Sequence, residues 1–129
     1  MSGQVILVVE DDVMIRMLMV DILSDEGYAV VEAASGDEGL DILSSGRHLD
    51  LVITDVRMPG KIDGVTLTGE AKRAYPTLPV IVVSGHLHPE AASRADAFLC
   101  KPYAPSTFLE IVTRLIGQPG AKRPPHGLH

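Results

Sequence analysis

Acidic side chains stand directly after two short aliphatic runs of this chain. Glu10 and Asp11 follow the run at residues 5–9, and Asp55 follows the run at residues 51–54. Short aliphatic runs of this kind predict strands that are buried on both faces, as in a parallel sheet. Because the carboxyl ends of parallel strands meet at one edge of the sheet, we expect these three carboxylates to converge.

Two further polar side chains occupy the corresponding position after later strands. Ser84 follows residues 80–83, and Lys101 follows residues 97–100. Two carboxylates about 4 Å apart repel each other by roughly 4 kcal/mol at an effective dielectric near 20, which raises their pKa values. A hard divalent cation such as Mg²⁺ relieves this repulsion, and the Lys101 ammonium adds a second positive charge. The set predicts a site that adds an anion, such as a phosphoryl group, to Asp55.

Helical periods separate the apolar runs. The first helix is predicted to begin after Asp12, an expected N-cap, and to end at Gly27. Its expected apolar face consists of Ile15, Leu18, Met19, Ile22 and Leu23. Further helices are predicted at the Ser35–Glu38 capping box, from Gly64 to about Tyr75, and from Pro105.

Five strands that alternate with helices predict an α/β fold. The common five-stranded solution is the flavodoxin-like doubly wound parallel sheet with strand order 2-1-3-4-5. In that order the first and third strands are neighbours, which places Asp55 beside Glu10 and Asp11. Residues 86–95 leave room for a short fourth helix at most.

Composition and charge exclude several classes of protein. With 129 residues, 46% hydrophobic and 22% charged, the sequence is that of one globular domain, which we expect at residues 4–117. A net charge of −6 argues against a nucleic-acid-binding surface. No apolar run reaches the roughly 18–20 residues that span a bilayer. Residues 118–129 are rich in Pro and Gly and are predicted to form a disordered tail.

Cysteine content and the N-terminal sequence predict a cytoplasmic protein. The single cysteine, Cys100, excludes an internal disulfide and fits a reducing compartment. The start of the chain lacks the basic region of a signal peptide, and acidic residues 10–12 interrupt its apolar run. We interpret Cys100 as a buried apolar residue, because no base pattern lies beside it.

Four motifs of the chain occur together in one known family. They are Val8-Val9-Glu10-Asp11-Asp12, Asp55-Val56-Arg57-Met58-Pro59-Gly60 with Asp63-Gly64, Ser84-Gly85, and Lys101-Pro102-Tyr103. Through these motifs, residues from about Gln4 to Gly117 resemble a response-regulator receiver domain (CheY-like) of two-component signalling. On this resemblance, the chain is expected to be a stand-alone receiver or a receiver excised from a longer protein.

The resemblance implies a role for each motif residue. Asp55 would accept the phosphoryl group, and Lys101 would bind one of its oxygens. Ser84 would be the switch hydroxyl that follows the phosphoryl group, and Phe98 occupies the aromatic switch position. The Mg²⁺ ion would be held by Glu10, Asp11, Asp55 and the backbone carbonyl of Arg57.

The chain offers two candidates for the acidic pair that receivers carry after the first strand. These are Glu10–Asp11 and Asp11–Asp12. In the family an arginine lies five residues after the second acid, and Arg16 lies five residues after Asp11. The resemblance therefore favours Glu10–Asp11 and leaves Asp12 as a helix cap.

The resemblance also implies partners. A sensor histidine kinase or a histidine phosphotransferase would supply the phosphoryl group, and a downstream protein would respond to it. Nucleic acid and membranes are not expected to bind. The chain would not be an enzyme beyond the slow hydrolysis of its own aspartyl phosphate, a rate that His86 and Arg57 are expected to tune. One departure is the short segment between Ser84 and Lys101, which disfavours dimerisation through the usual face around the fourth helix.

Two other functions fit parts of the sequence. A phosphorylation-independent interaction module could use the same fold, but it would not need the full set of Glu10, Asp11, Asp55 and Lys101. A Mg²⁺-dependent phosphatase would carry its aspartate nucleophile in an Asp-x-Asp motif after the first strand and would add a cap domain. Here the lone strand-end aspartate follows the third strand, and no cap domain is expected.

Histidines and methionines of the chain have simpler interpretations. His86 and His88 lack the further ligands of a closed zinc site. We interpret Met14, Met17 and Met19 first as helix-packing residues and second as a partner surface.

Overall fold

The structure, a computed structural model, describes residues 3–86 and 89–119, apart from the side chains of residues 90–92. Across these ranges five strands alternate with five helices. The strands are β1 (Val5–Val9), β2 (Ala29–Ala33), β3 (Leu51–Asp55), β4 (Val80–Ser84) and β5 (Ala97–Cys100). The helices are α1 (Val13–Glu26), α2 (Gly36–Ser44), α3 (Gly64–Ala74), α4 (Pro89–Arg94) and α5 (Pro105–Ile116). No described helix has both the length and the apolar character that a membrane span requires.

All five strands join one parallel sheet in the order β2-β1-β3-β4-β5. This order confirms the predicted flavodoxin-like doubly wound fold. The register pairs Val9 with Thr54 and Asp55 with Val83, so the carboxyl ends of β1, β3 and β4 lie at nearly one level. The residues that follow these strands therefore meet at the same edge of the sheet.

Apolar side chains alternate between the two faces of the sheet and build two cores. Along β1, Ile6 and Val8 face the core formed with α1 and α5, whereas Leu7 and Val9 face the core formed with α2 and α3. All four side chains are buried. Because both faces are covered by helices, β1 is aliphatic at every position instead of alternating apolar with polar residues.

Side-chain caps start the first two helices. Asp12 Oδ1 accepts hydrogen bonds from the backbone N–H groups of Met14 and Ile15, at 2.9 and 3.1 Å. Ser35 Oγ accepts the backbone N–H of Glu38 at 3.1 Å. Both predicted caps are confirmed, and each satisfies donors that the first turn of a helix leaves without an intrahelical partner.

Some positions that the sequence predicts to be buried are exposed. Leu18, expected on the apolar face of α1, is 59% exposed, whereas its neighbour Met19 is buried. Apolar residues surround the first half of α1, and only those turned toward the sheet and α5 enter a core. Cys100 is exposed. It ends an edge strand on the same side as Phe98, where the short α4 offers little cover.

The fourth helix is short, as predicted, and spans six residues. The segment after α4 is tied to α3, because Lys72 Nζ donates a hydrogen bond to Asp96 Oδ2 at 2.7 Å. The same carboxylate oxygen accepts the backbone N–H of Val80 at the start of β4, at 2.8 Å. Asp96 therefore fixes where β5 begins relative to α3 and β4.

The end of α5 is held against the start of the chain. Gln4 Nε2 donates hydrogen bonds to the carbonyl oxygens of Ile116 and Gln118, both at 2.9 Å. Most of the tail predicted at residues 118–129, namely residues 120–129, lies outside the described residues.

Candidate functional site

Three carboxylates converge at the carboxyl edge of the sheet. One ligand oxygen from each of Glu10, Asp11 and Asp55 lies within 4.8 Å of the other two. Glu10 and Asp11 follow β1, and Asp55 ends the neighbouring strand β3. The strand order alone therefore brings together side chains that lie more than forty residues apart in sequence.

Lys101 faces the carboxylates from the end of β5. Its Nζ lies 3.2 Å from Asp55 Oδ2 and 3.8 Å from Glu10 Oε1. Its backbone N–H donates to the Ser84 carbonyl at 2.9 Å, which aligns Lys101 with the end of β4. One ammonium opposite three carboxylates leaves an excess of negative charge when all of them are ionised, so the site favours a further cation.

Glu10 is the most buried member of the cluster, at 1% exposure. Its Oε2 accepts the backbone N–H of Asp12 at 3.0 Å. Its Oε1 has no hydrogen-bond partner among the described residues, although the Lys101 ammonium lies nearby. Burial, and then the charge of Asp55, raise the pKa of the Glu10 carboxyl to about 7 against the opposing effects of Asp12 and Lys101.

This donor set fits a hard divalent cation. Mg²⁺ prefers carboxylate and carbonyl oxygens, and it binds through a small number of carboxylates. A buried carboxylate oxygen without a hydrogen bond is costly unless a positive charge compensates it. Glu10 Oε1 is such an oxygen, and the Asp11 and Asp55 carboxylates lie beside it.

Backbone contacts hold Asp55 in place at the end of β3. Its Oδ1 accepts the backbone N–H of Val56 at 2.8 Å, and its carbonyl oxygen accepts the Thr54 hydroxyl at 2.8 Å. Gly64 packs directly on that carbonyl, and a Cβ at this position would overlap the Asp55 oxygen. Only glycine fits such a close backbone approach, which gives the Asp63-Gly64 pair of the sequence a steric reason.

The three acids in the loop after β1, residues 10–12, make different contacts. Asp12 Oδ1 accepts the backbone hydrogen bonds that cap the first turn of α1, and Asp12 is not part of the carboxylate cluster. Arg16 Nη1 donates to the Glu10 carbonyl at 2.7 Å, and its Nε donates to Glu32 at 3.0 Å. The structure thus groups Glu10 and Asp11 with Asp55 and leaves Asp12 as a helix cap, and Arg16 anchors the loop that carries these acids.

The two residues expected to switch, Ser84 and Phe98, lie on the neighbouring strands β4 and β5. Ser84 is buried, and its Oγ accepts the backbone N–H of His86 at 3.2 Å. Phe98 is half-buried and packs against the core on the side of α2 and α3. The side chains of Arg57 and His86 are exposed, and His88 lies outside the described part of the chain.

Tyr103 lies near enough to the carboxylate cluster for the charges of Glu10 and Asp55 to act on its hydroxyl. Its ring packs on Phe108 with the ring centroids 5.5 Å apart. Burial, and then the charges of Glu10 and Asp55, raise the pKa of its hydroxyl. Its place two residues after Lys101 was the available signal for this proximity.

Known proteins with similar sequences and folds include both kinases and regulators. Sensor kinase CckA of Brucella abortus (strain 2308) is 42% identical over 105 residues, which are 77% of this chain and 11% of the kinase. The transcriptional regulatory protein YbdJ of Bacillus subtilis (strain 168) is 36% identical over 113 residues, 84% of this chain. The chain spans 49% of the length of YbdJ.

Similarity in structure extends over most of the chain. The response regulator TrrA of Thermotoga maritima, solved in complex with Mg²⁺ and BeF, superposes with a TM-score of 0.81 at 33% identity. The match covers 87% of this chain and 98% of TrrA. The family model for the response regulator receiver domain matches residues 6–113 of this chain. The chain therefore belongs to the family of response regulator receiver domains, which act in two-component, phosphorylation-based signalling.

Proposed function

We propose that this chain is a phosphorylation-dependent switch that accepts a phosphoryl group on Asp55 from a phosphohistidine. The observation that carries the proposal is the Lys101 ammonium, 3.2 Å from Asp55 Oδ2, at the rim of a three-carboxylate cluster. An interaction module without phosphoryl chemistry would have no need of three converging carboxylates with a lysine ammonium at their rim.

Transfer needs positioning and charge neutralisation more than covalent chemistry by the protein. An Asp55 carboxylate oxygen attacks phosphorus, the phosphorus–nitrogen bond of the donor breaks, and its electron pair stays on the imidazole. Val56 N–H holds Asp55 Oδ1 throughout. Lys101 can shift its hydrogen bond from Asp55 to a phosphoryl oxygen, because its Nζ already lies at Oδ2.

The metal of the proposal is Mg²⁺, and Glu10, Asp11, Asp55 and the backbone carbonyl of Arg57 would hold it. When bound, it supplies positive charge that offsets both the carboxylate repulsion and the charge of the phosphoryl group. The buried Glu10 oxygen without a hydrogen bond supports its place in this set.

Phosphorylation would change the surface through Ser84 and Phe98. The acyl phosphate adds about −1.5 to −2 charges at the end of β3. The Ser84 hydroxyl would leave the His86 N–H and donate to a phosphoryl oxygen, which moves the loop after β4. Half-buried Phe98, on the neighbouring strand, would follow into the space that this movement opens. The exposed side chains of His86 and Arg57 would control how readily water reaches the acyl phosphate.

An exposed apolar surface on α1 would receive the phosphodonor. Val13, Met14, Met17 and Leu18 are each more than half exposed. Contiguous exposed apolar side chains on a soluble domain mark interaction sites, and methionine adapts to varied partners. This surface begins two residues after Asp11, so a donor that covers it would also reach Asp55.

Intact-mass spectrometry tests the proposal. We expect a phosphoryl adduct after incubation with phosphoramidate and Mg²⁺, and we expect Asp55→Asn to abolish it. Asp12→Asn is the matched control, because asparagine also caps helices and Asp12 lies outside the cluster. If the wild-type chain forms no adduct and binds no Mg²⁺, the proposal is wrong and the chain is an interaction module.

A further inference from the structure

We propose that Asp37, at the start of α2, is a positioning residue for the metal site. The inference rests on the proposed function, because it concerns the loop of residues 56–63 that carries the Arg57 carbonyl. Among the described residues, no hydrogen bond or ion pair joins Asp37 to Asp55 or to the acidic pair. Asp37 lies inside the Ser35–Glu38 capping box but is neither of its two capping residues. It acts by fixing the loop from outside the site.

The contact is a hydrogen bond across two elements. Asp37 Oδ1 accepts the backbone N–H of Ile62 at 3.2 Å, twenty-five residues further along the chain. The backbone of Gly60 passes the same carboxylate, since a Cβ there would lie 3.6 Å from Asp37 Oδ1. The loop therefore folds over the first turn of α2 and is held there by one side chain.

Two close contacts locate the loop. The first brings its two ends together: Gly64, just after the loop, packs against the Asp55 carbonyl, and the Gly64 N–H donates to the Val56 carbonyl at 2.8 Å. The second holds the loop on α2, because the Ile62 carbonyl lies so close to Gly36 that a Cβ on Gly36 would overlap the carbonyl oxygen. Residues 57–61 lie between these two contacts, so their path depends on both.

Arg57 lies in this path, two residues after Asp55. Its carbonyl is the one backbone ligand of the proposal, and it lies in a loop outside the strands and helices. Outer contacts that orient a ligand change metal affinity by roughly tenfold to a hundredfold. Asp37 is exposed and one step further from the ion, so a smaller effect is expected.

NMR titration of the full chain with Mg²⁺ alone, combined with thermal melting, tests the proposal. We expect Asp37→Ala to weaken Mg²⁺ binding by roughly threefold to tenfold. Asp37→Asn keeps an oxygen acceptor for the Ile62 N–H and is expected to restore binding to within about twofold, since an exposed charge is screened by solvent. Gly36→Ala, whose Cβ would push the Ile62 carbonyl away from α2, is expected to weaken binding as well.

Asp41→Ala is the matched control, because it removes an exposed acid one helical turn further along α2. We expect it to leave Mg²⁺ affinity unchanged. Wild-type affinity in Asp37→Ala, or an equal loss in Asp41→Ala or Asp37→Asn, would overturn the positioning role and leave the proposed function standing. Absence of Mg²⁺ binding by the wild-type chain would instead overturn the proposed function, and this inference with it.

Discussion

At the scale of single residues, the site is governed by the cost of burying Glu10. Its carboxyl is enclosed beside Asp55, and its pKa is raised from 4.5 to about 7. A carboxyl whose pKa rises on folding holds its proton more tightly in the folded chain. Its contribution to the free energy of unfolding is therefore present at low pH and is lost as pH rises from about 4.5 to about 7.

We expect Mg²⁺ affinity to increase from about pH 6 to about pH 8, because Glu10 must lose its proton to act as a ligand. An NMR titration at several pH values measures this dependence.

We also expect metal-free Glu10→Gln to melt at a higher temperature than the wild-type chain at about pH 8, with the difference shrinking toward pH 5. A melting difference that grows toward low pH would show that Glu10 is not the buried acid that titrates.

Lys101 is expected to serve the phosphoryl group more than the metal. Lys101→Ala removes a cation and leaves all three carboxylates, so Mg²⁺ should still bind. Adduct formation from phosphoramidate should slow by roughly a hundredfold, the usual effect of losing one aimed electrostatic donor. Mass spectrometry over time gives the rate, with Arg114→Ala in the last turn of α5 as a control cation. Loss of Mg²⁺ binding in Lys101→Ala would contradict this division of roles.

At the scale of elements, α1 has two apolar surfaces with different purposes. Met19 and Leu23 are buried against the sheet and α5, whereas Met14, Met17 and Leu18 face outward. The packing interpretation therefore applies to Met19 alone among the three methionines. The outward side chains support the proposed contact with a phosphodonor.

Leu18 and Met19 are adjacent on α1, but truncation to alanine should affect stability mainly at Met19 and phosphotransfer mainly at Leu18. Met19→Ala is expected to lower the free energy of unfolding by about 2–5 kcal/mol through a core cavity, and Leu18→Ala by less than about 0.5 kcal/mol. Urea denaturation measures both. Leu18→Ala should also slow transfer from a histidine kinase that phosphorylates the wild-type chain, while the reaction with phosphoramidate stays unchanged. Equal slowing with both donors would place Leu18 in the chemistry and not in docking.

The sequence predicted the elements because each was marked locally. Aliphatic runs marked the strands, and the Asp12 and Ser35 caps marked helix starts. The exposure of Leu18 and Cys100 could not be predicted, since it depends on how much of the sheet α5 and the short α4 cover. The contact between Asp37 and the loop after β3 was also hidden, because an exposed acid in a first helical turn is ordinary in any sequence.

At the scale of the whole molecule, the order of the parallel strands brings the charged side chains of the site to the carboxyl edge of the sheet. Acids from β1 and β3 and the lysine from β5 meet there, while Tyr28 and Gln4 tie the end of α5 to the opposite side. The net charge of −6 favours cations around the chain as a whole. In the proposed function, the metal and the phosphodonor bind at this carboxyl edge, with the α1 surface beside it.

Chemical mapping of the acyl phosphate tests the role of Asp55 most directly. Borohydride reduces an aspartyl phosphate to homoserine, and peptide mass spectrometry then locates the converted residue. After phosphorylation in the presence of Mg²⁺, we expect homoserine at position 55 and aspartate retained at Asp11 and Asp12. Homoserine at Asp11 or Asp12, or an adduct that leaves Asp55 unconverted, would contradict the assignment of Asp55 as the phosphoacceptor.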